Sequence, residues 1–283
     1  MENYHCINFH LFNYLFKDKI SEQLQHICST KLEDLRAMEE KDIFSELSNN
    51  LPENLDYRSL VEDIYDQSNF KCGTSSTTSA AVNLLHAIIN ENRYSINKLL
   101  GINKTPKLLM SRLHNYWNAK IVQQSNIFSD DPVMIESSLI AIKKRKMCPE
   151  SYWPYMSDKI SEQPSLSADY QASLYPKSVS YRKLSNHVNL IKYELHKGHP
   201  VLMGIILYSN WNTSADGLIN LPTGTSKFIG AHTILLVGYN NNKKYFIFQN
   251  SLGKKWGSDG FGFIEYGYIY SNGMCGDIYS IYI

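Results

Sequence analysis

The sequence predicts an α+β protein in which a helical lobe is followed by an antiparallel β lobe. Three observations carry this expectation. Apolar residues recur at helical spacing through the first half of the chain. After "CPESYWPY" (148–155) the pattern changes to short β-branched and aromatic runs divided by Gly and Asn turns. The 283 residues, 43% hydrophobic, are enough to bury a sizeable core in two lobes.

Taken in order, residues 18–48 alternate acidic, basic and aliphatic positions at helical spacing, predicting one or two amphipathic helices loosely tied to the rest. "SNNLPENLDYRS" breaks that pattern with Asn and Pro. We therefore expect an N-terminal extension over 1–54, a pro-like or attachment segment, and a main domain over 55–283. Its helical lobe is placed at about 66–155 and its β lobe at about 156–283. "TSAAVNLLHAIINE" has apolar residues at i, i+3, i+4 and i+7, predicting a buried helix over 74–91 with Asn83 on an exposed side. "TPKLLMSRLHNYWNAKI" and "DPVMIESSLIAIKKRK" each open on Thr or Asp followed by Pro, as helix starts do. Strands are expected at 200–208, 231–239, 244–249 and 260–265, with one helix at 184–197 among them. No repeat or low-complexity tract is present.

Composition excludes several function classes. The 28 Lys+Arg against 27 Asp+Glu leave a net charge of +1, too little to steer a polyanion, so no nucleic-acid partner is expected. No apolar run is long enough to span a bilayer, and "VLMGIILY" (201–208) reads as a buried strand, so no membrane partner is expected. The N-terminus lacks a basic start and a small-residue cleavage site, so the reading is a cytoplasmic or otherwise intracellular protein, to which the family resemblance given below adds a viral or host-cell association. Accordingly Asn103 and Asn212, in glycosylation-acceptor triplets, are discounted. Five scattered cysteines, none in a CxxC pair, indicate neither a disulfide framework nor zinc; no metal or other cofactor is expected.

The chemically richest stretch is "GAHTILLVGYNNNKKYFIFQNSLGKKWGSDGFGFI", 230–264. His232 opens an apolar strand after Gly230 and Ala231, where a ligand can approach. A turn at "NNNKK" returns the chain in a second strand ending at Asn250, which sets the two side chains near each other. A His oriented by an Asn amide is equipped as a general base. An isolated pair of this kind is more often a satisfied core His and a turn Asn; the Gly- and Trp-rich tail changes that weighing.

These residues resemble the papain-like cysteine peptidases, specifically a divergent microbial and viral branch. "GAHTILLVGY" is similar to that family's G-H-A-V-x-x-V-G-Y, and "QNSLGKKWGSDGFGF" to N-S-W-G-x-x-W-G-x-x-G-Y-F, with its second Trp at Trp256. "LDYRSLVEDIYDQSNFKCGTSSTTSAA" and "CPESYWPY" follow the branch's upstream motifs in order. The resemblance runs from about residue 55 to the C-terminus. It implies a two-lobed fold with a cleft, a nucleophile at the start of the helical lobe's first helix, and His232 and Asn250 on the β lobe. It also implies a polypeptide as substrate or bound segment. Leu252 stands where the family has a Trp that shields the His–Asn bond from water.

The nucleophile position departs further. A catalytic thiol needs a helix N-terminus and a nearby His to lower its pKa, plus donors for the oxyanion. By resemblance Gln67 is the oxyanion glutamine, and six residues onward lies Gly73, which carries no nucleophile. Cys72, one residue early, serves only if loop and helix both shift. Ser75 fits "CGTS" but moves Gln67 out of step by two, and Cys275 has nothing in its favour. Cys148 reads as structural, and His86 and His114 as surface or satisfied histidines. Two main readings follow: a thiol endopeptidase using Cys72, His232, Asn250 and Gln67, or an impaired form, a pseudopeptidase that binds peptide or protein in the cleft. A related acyl transferase using the same groups is a third, weaker one. The filling of the nucleophile slot by Gly73 leans the sequence toward impairment, and the oligomeric state is not encoded legibly.

Overall fold

The computed structural model describes residues 51–99, 109–174, 179–212, 216–271 and 273–283. The expected helices at 18–48, and Asn103, lie outside them. Strand β1 (Asn54–Asp56) leads to the helices α1 (Gly73–Leu99), α2 (Arg112–Gln123) and α3 (Ile135–Arg145). Then come α4 (Leu166–Ser173), β2 (Ser180–Leu184), α5 (Val188–His196), β3 (Val201–Tyr208), β4 (Leu218–Ile219), β5 (Phe228–Asn240), β6 (Tyr245–Gln249), β7 (Phe261–Glu265), α6 (Gly267–Tyr270) and β8 (Cys275–Tyr282). The sheet runs β2-β8-β3-β5-β6-β7-β4, with β1 added against β5. Every pairing is antiparallel except β4 with β7.

The expected α+β order is present, with differences that have local causes. Helix α1 is longer than the apolar pattern suggested, extending to Leu99. Its N-terminal half is buried on all sides, polar residues included, from Ser75 to Ser79. This Ser/Thr run is a poor helix former in isolation. Its threonine hydroxyls tie it to fixed partners: Thr78 Oγ1 donates to the Thr74 carbonyl (2.9 Å), Thr77 Oγ1 to the Thr233 carbonyl (3.1 Å), and Ser138 Oγ donates to Thr78 Oγ1 (2.9 Å). Asn83, expected on an exposed side, is buried: its amide donates to Tyr65 Oη (2.8 Å) and accepts from Met110 N–H (2.9 Å). An apolar-periodicity rule cannot see a polar residue that bolts a helix to two loops.

Helix α2 starts at Arg112, capped by Ser111, whose hydroxyl accepts from His114 N–H. Helix α3 starts at Ile135, four residues after the expected Asp131. Helices α4 and α6 and strands β1, β2, β4 and β8 were not anticipated, and the boundary expected at 54/55 falls inside β1. Three apolar clusters form the core. One lies between α5 and the sheet, one between α1 and the sheet's other face, and one inside the helical lobe around Leu113, Tyr116 and Trp153. Helix α1 is thus the wall between the lobes, and its first turn faces β5.

Candidate active site

Strand β5 presents His232 opposite Ile205 of β3, and the turn to β6 brings the chain back so that Asn250 follows Gln249. His232 Nε2 lies 2.8 Å from Asn250 Oδ1, so the pair predicted from sequence is assembled. Asn250 Oδ1 also accepts from Ser251 N–H (2.8 Å). That backbone donor fixes the amide with its oxygen toward the ring, so Nε2 carries the imidazole proton and Nδ1 bears the lone pair. Asn250 is 2% exposed, and its Nδ2 is buried with no partner among the described residues. His232 is partly exposed. Burial holds its pKa below the ordinary histidine value, partly opposed by the bond to Asn250.

An aromatic residue not singled out from the sequence completes this corner. Trp211, from the segment after β3, is buried and sets its ring edge-to-face with His232, centroids 5.6 Å apart. It stacks on Trp256 (5.3 Å) and Phe248 (6.1 Å). Leu252, the substitute for the shielding Trp, is half-buried and bridges to Asp66. Trp211 therefore supplies aromatic cover over the His232 ring from a different strand connection. The available signal was "YSNWN", a Trp directly after an apolar strand leading toward the His.

Gln67 is placed by two backbone bonds between the lobes: its N–H donates to the Ser251 carbonyl (2.9 Å), and Gly253 N–H donates to the Tyr65 carbonyl (3.0 Å). Its side chain is locked at both ends. Nε2 donates to the Phe70 carbonyl (2.9 Å), while Oε1 accepts from Ser251 Oγ (2.6 Å). Because a carbonyl can only accept, the Phe70 contact fixes which end of the amide is nitrogen. Gln67 thus places Oε1 nearest the start of α1, with one Nε2–H committed to Phe70. A Cβ built on Gly73 would fall on Gln67 Oε1, with Nε2 3.0 Å away. The glutamine occupies the space above Gly73 that a side chain at this position needs.

Cys72 is elsewhere. Its sulfur is 0% exposed, belongs to the helical-lobe core with Leu113, Tyr116 and Cys148, and lies 3.9 Å from Ser76 Oγ. Desolvation pushes its thiol up to about 11, more than the hydrogen bonds from Ser76 and Tyr155 bring it down. The displaced-nucleophile role expected for Cys72 thus meets a sulfur in the core, where a thiolate is disfavoured and a peptide carbonyl has no access. Ser75 is fully buried too, and its hydroxyl has no partner among the described residues. Cys148 and Cys275 are buried thiols pushed to about 12 and about 11. His114 is buried, with Nε2 3.1 Å from Asp169 Oδ1. Among the described residues, no group of His, Cys, Asp and Glu is arranged to hold a metal ion.

The family model for papain family cysteine proteases matches residues 129–280, more than half of the chain. This protein belongs to the papain family. The match begins after Gln67, Cys72 and Gly73 and includes His232 and Asn250. Among solved structures, the chain is similar to xylellain, a cysteine protease from Xylella fastidiosa. The TM-score is 0.72 at 25% identity, covering 84% of this chain and 88% of that one. It shares its fold with digestive procathepsin L 3 of Tenebrio molitor larval midgut (TM-score 0.61, 20% identity, 83% and 71% covered). By sequence it is 29% identical over 182 residues to an uncharacterized peptidase C1-like protein of Acanthamoeba polyphaga mimivirus, covering 60% of this chain. It is 28% identical over 81 residues to cathepsin B-like cysteine proteinase 3 of Ostertagia ostertagi, covering 28% of this chain. The chain spans 58% and 45% of the lengths of these two curated relatives.

Proposed function

We propose that this papain-family chain is a catalytically impaired peptidase whose cleft binds polypeptide segments without cleaving them. The observation that carries this reading is the filled space above Gly73: the position assigned to the nucleophile has no side chain, and Gln67 Oε1 lies where a Cβ would be. Three further features support it. The thiol next in sequence is in the core and held protonated at neutral pH. The amide expected to donate to an oxyanion has its Oε1 nearest the nucleophile position and one N–H spent on Phe70. The His–Asn pair and its aromatic cover remain, a polar and aromatic surface of the kind a peptide contacts.

The experiment combines binding and turnover on one set of peptides. A library of denatured-protein tryptic fragments is incubated with the full chain and analysed by mass spectrometry, before and after recovery of the bound fraction. Impairment predicts retention of a subset of peptides with their termini intact. New termini that accumulate with time and vanish in His232→Ala would overturn it in favour of the thiol endopeptidase.

A further inference from the structure

The stretch that carries Gln67 into the site is gripped from the helical lobe by two donors. Arg112 Nη1 donates to the Asp66 carbonyl (3.0 Å), and Tyr155 Oη donates to the Gln67 carbonyl (2.7 Å). From the other side the β lobe holds the same residues, through Gln67 N–H on the Ser251 carbonyl and Gly253 N–H on the Tyr65 carbonyl. Residues 65–67 thus lie between the lobes, and whatever fixes their backbone also places the Gln67 side chain.

Both donors are oriented by one carboxylate. Glu150 Oε1 accepts from Tyr155 N–H (3.0 Å) and, at longer range, from Arg112 Nε (3.4 Å) and Nη2 (3.5 Å). Its Oε2 accepts from Arg112 N–H (3.2 Å). The side chains of Arg112 and Glu150 are only 12% and 18% exposed, so water and salt screen their attraction weakly. The guanidinium also lies between two rings, its Cζ 4.3 Å from the Tyr65 centroid and 3.9 Å from that of Tyr155. Tyr65 is itself fixed, its hydroxyl donating to the Met110 carbonyl (2.9 Å). Arginine suits this place: its planar fork meets Glu150 with two nitrogens, keeps Nη1 for Asp66 and fits flat between the rings. The contacts within the helical lobe would be enough to staple that lobe together. The Nη1 and Oη bonds go beyond it, to the two residues that set Gln67, and a staple does not need them.

We infer that Arg112 is a positioning residue of the site. Aligned by Glu150 and held between Tyr65 and Tyr155, it fixes the Asp66–Gln67 backbone and, through it, the place of the Gln67 amide between Ser251 and the start of α1. This role is the same whether the chain cleaves peptides or only binds them.

The test reads Gln67 itself in the ¹⁵N-labelled full chain near neutral pH, by hydrogen exchange at its backbone N–H and by the resonances of its side-chain amide. Leu235 N–H, in the middle of β5, is the reference for changes in global stability. Arg112→Lys keeps the charge and loses the fork. It should speed exchange at Gln67 by about tenfold or more over any change at Leu235, and move the side-chain amide resonances. Tyr155→Phe keeps the ring over the guanidinium and removes the bond to the Gln67 carbonyl. It should act in the same direction, and it carries the test if Arg112→Lys fails to fold. Lys120→Met, which loosens the helical lobe elsewhere, should leave Gln67 as it is in the parent chain. Gln67 exchange and resonances that hold in the Arg112 and Tyr155 variants, or that move as far in Lys120→Met, would overturn the inference and make Arg112 a staple of the helical lobe alone. Neither result depends on whether a peptide is bound or cleaved, so the proposed impairment stands or falls separately.

Discussion

At the scale of single residues, Gly73 and Gln67 are one unit. Adding a methyl at Gly73 displaces the Gln67 amide and breaks its bonds to Ser251 and Phe70, each worth about 1 kcal/mol. Gly73→Ala should therefore destabilise by about 1–2 kcal/mol, and in a Gln67→Ala background the penalty should vanish. Denaturant unfolding of the two single variants and the double variant measures the coupling. A Gly73 penalty unchanged by Gln67→Ala would show the two are independent. Trp211 makes a second prediction. Burial holds the His232 pKa low, so removing the ring that covers it should raise that pKa toward the ordinary value of 6.5. Trp211→Ala should show this in an NMR titration and Trp211→Phe should not; identical titrations in both variants would remove Trp211 from the site.

At the scale of elements, the chain uses buried polar groups as bolts. Lys120 on α2 is fully buried and donates to the carbonyls of Ile127 (2.6 Å), Ser129 (3.1 Å) and Ile160 (3.4 Å). It ties the loop after α2 to the helical lobe. Lys120→Met fills the same volume but orphans these carbonyls, and should cost about 2–4 kcal/mol in denaturant unfolding; a loss under about 0.5 kcal/mol would mean the loop is held without it. Such bolts are also where the sequence was least legible. Strands β3, β5, β6 and β7 stood out because their apolar runs are bounded by turn residues. β2, "SYRKL", did not, because it lies at the sheet edge with Arg182 and Lys183 exposed. Strand β8 carries Gly276 and Asp277 amid its apolar residues, which breaks the run. Helix α4 buries little more than Ala168 and Ala172, so its apolar face points outward and its periodicity carries no core signal. In the site, His232 and Asn250 were legible from the strand–turn–strand pattern only together with the Gly- and Trp-rich tail and the family resemblance it carries. The core placement of Cys72, the orientation of the Gln67 amide and the cover by Trp211 are tertiary facts, set by Phe70, Ser251 and the segment after β3.

At the scale of the whole molecule, the buried ionisable groups define the pH range of stability. His232 and His114 have folded pKa values held below 6.5 by burial, so the unfolded chain takes up protons more readily and stability is lost as pH falls below about 6.5. Cys72, Cys148 and Cys275 are raised from 9.0 to about 11, 12 and 11, so the unfolded chain ionises first and stability falls as pH rises above 9. Melting temperature against pH should show a plateau between these limits; a melting temperature still rising above pH 9 would contradict the buried thiols. The same burial carries the proposed impairment. A papain-family cleft with its His–Asn pair assembled lacks a thiolate only if the Cys72 sulfur stays in the core. The direct measurement is the rate of iodoacetamide labelling at each cysteine of the native chain near neutral pH, mapped by mass spectrometry. The structure predicts that Cys72 reacts no faster than Cys148. Rapid labelling at Cys72 that is abolished by His232→Ala would contradict it, and would make this chain an active peptidase.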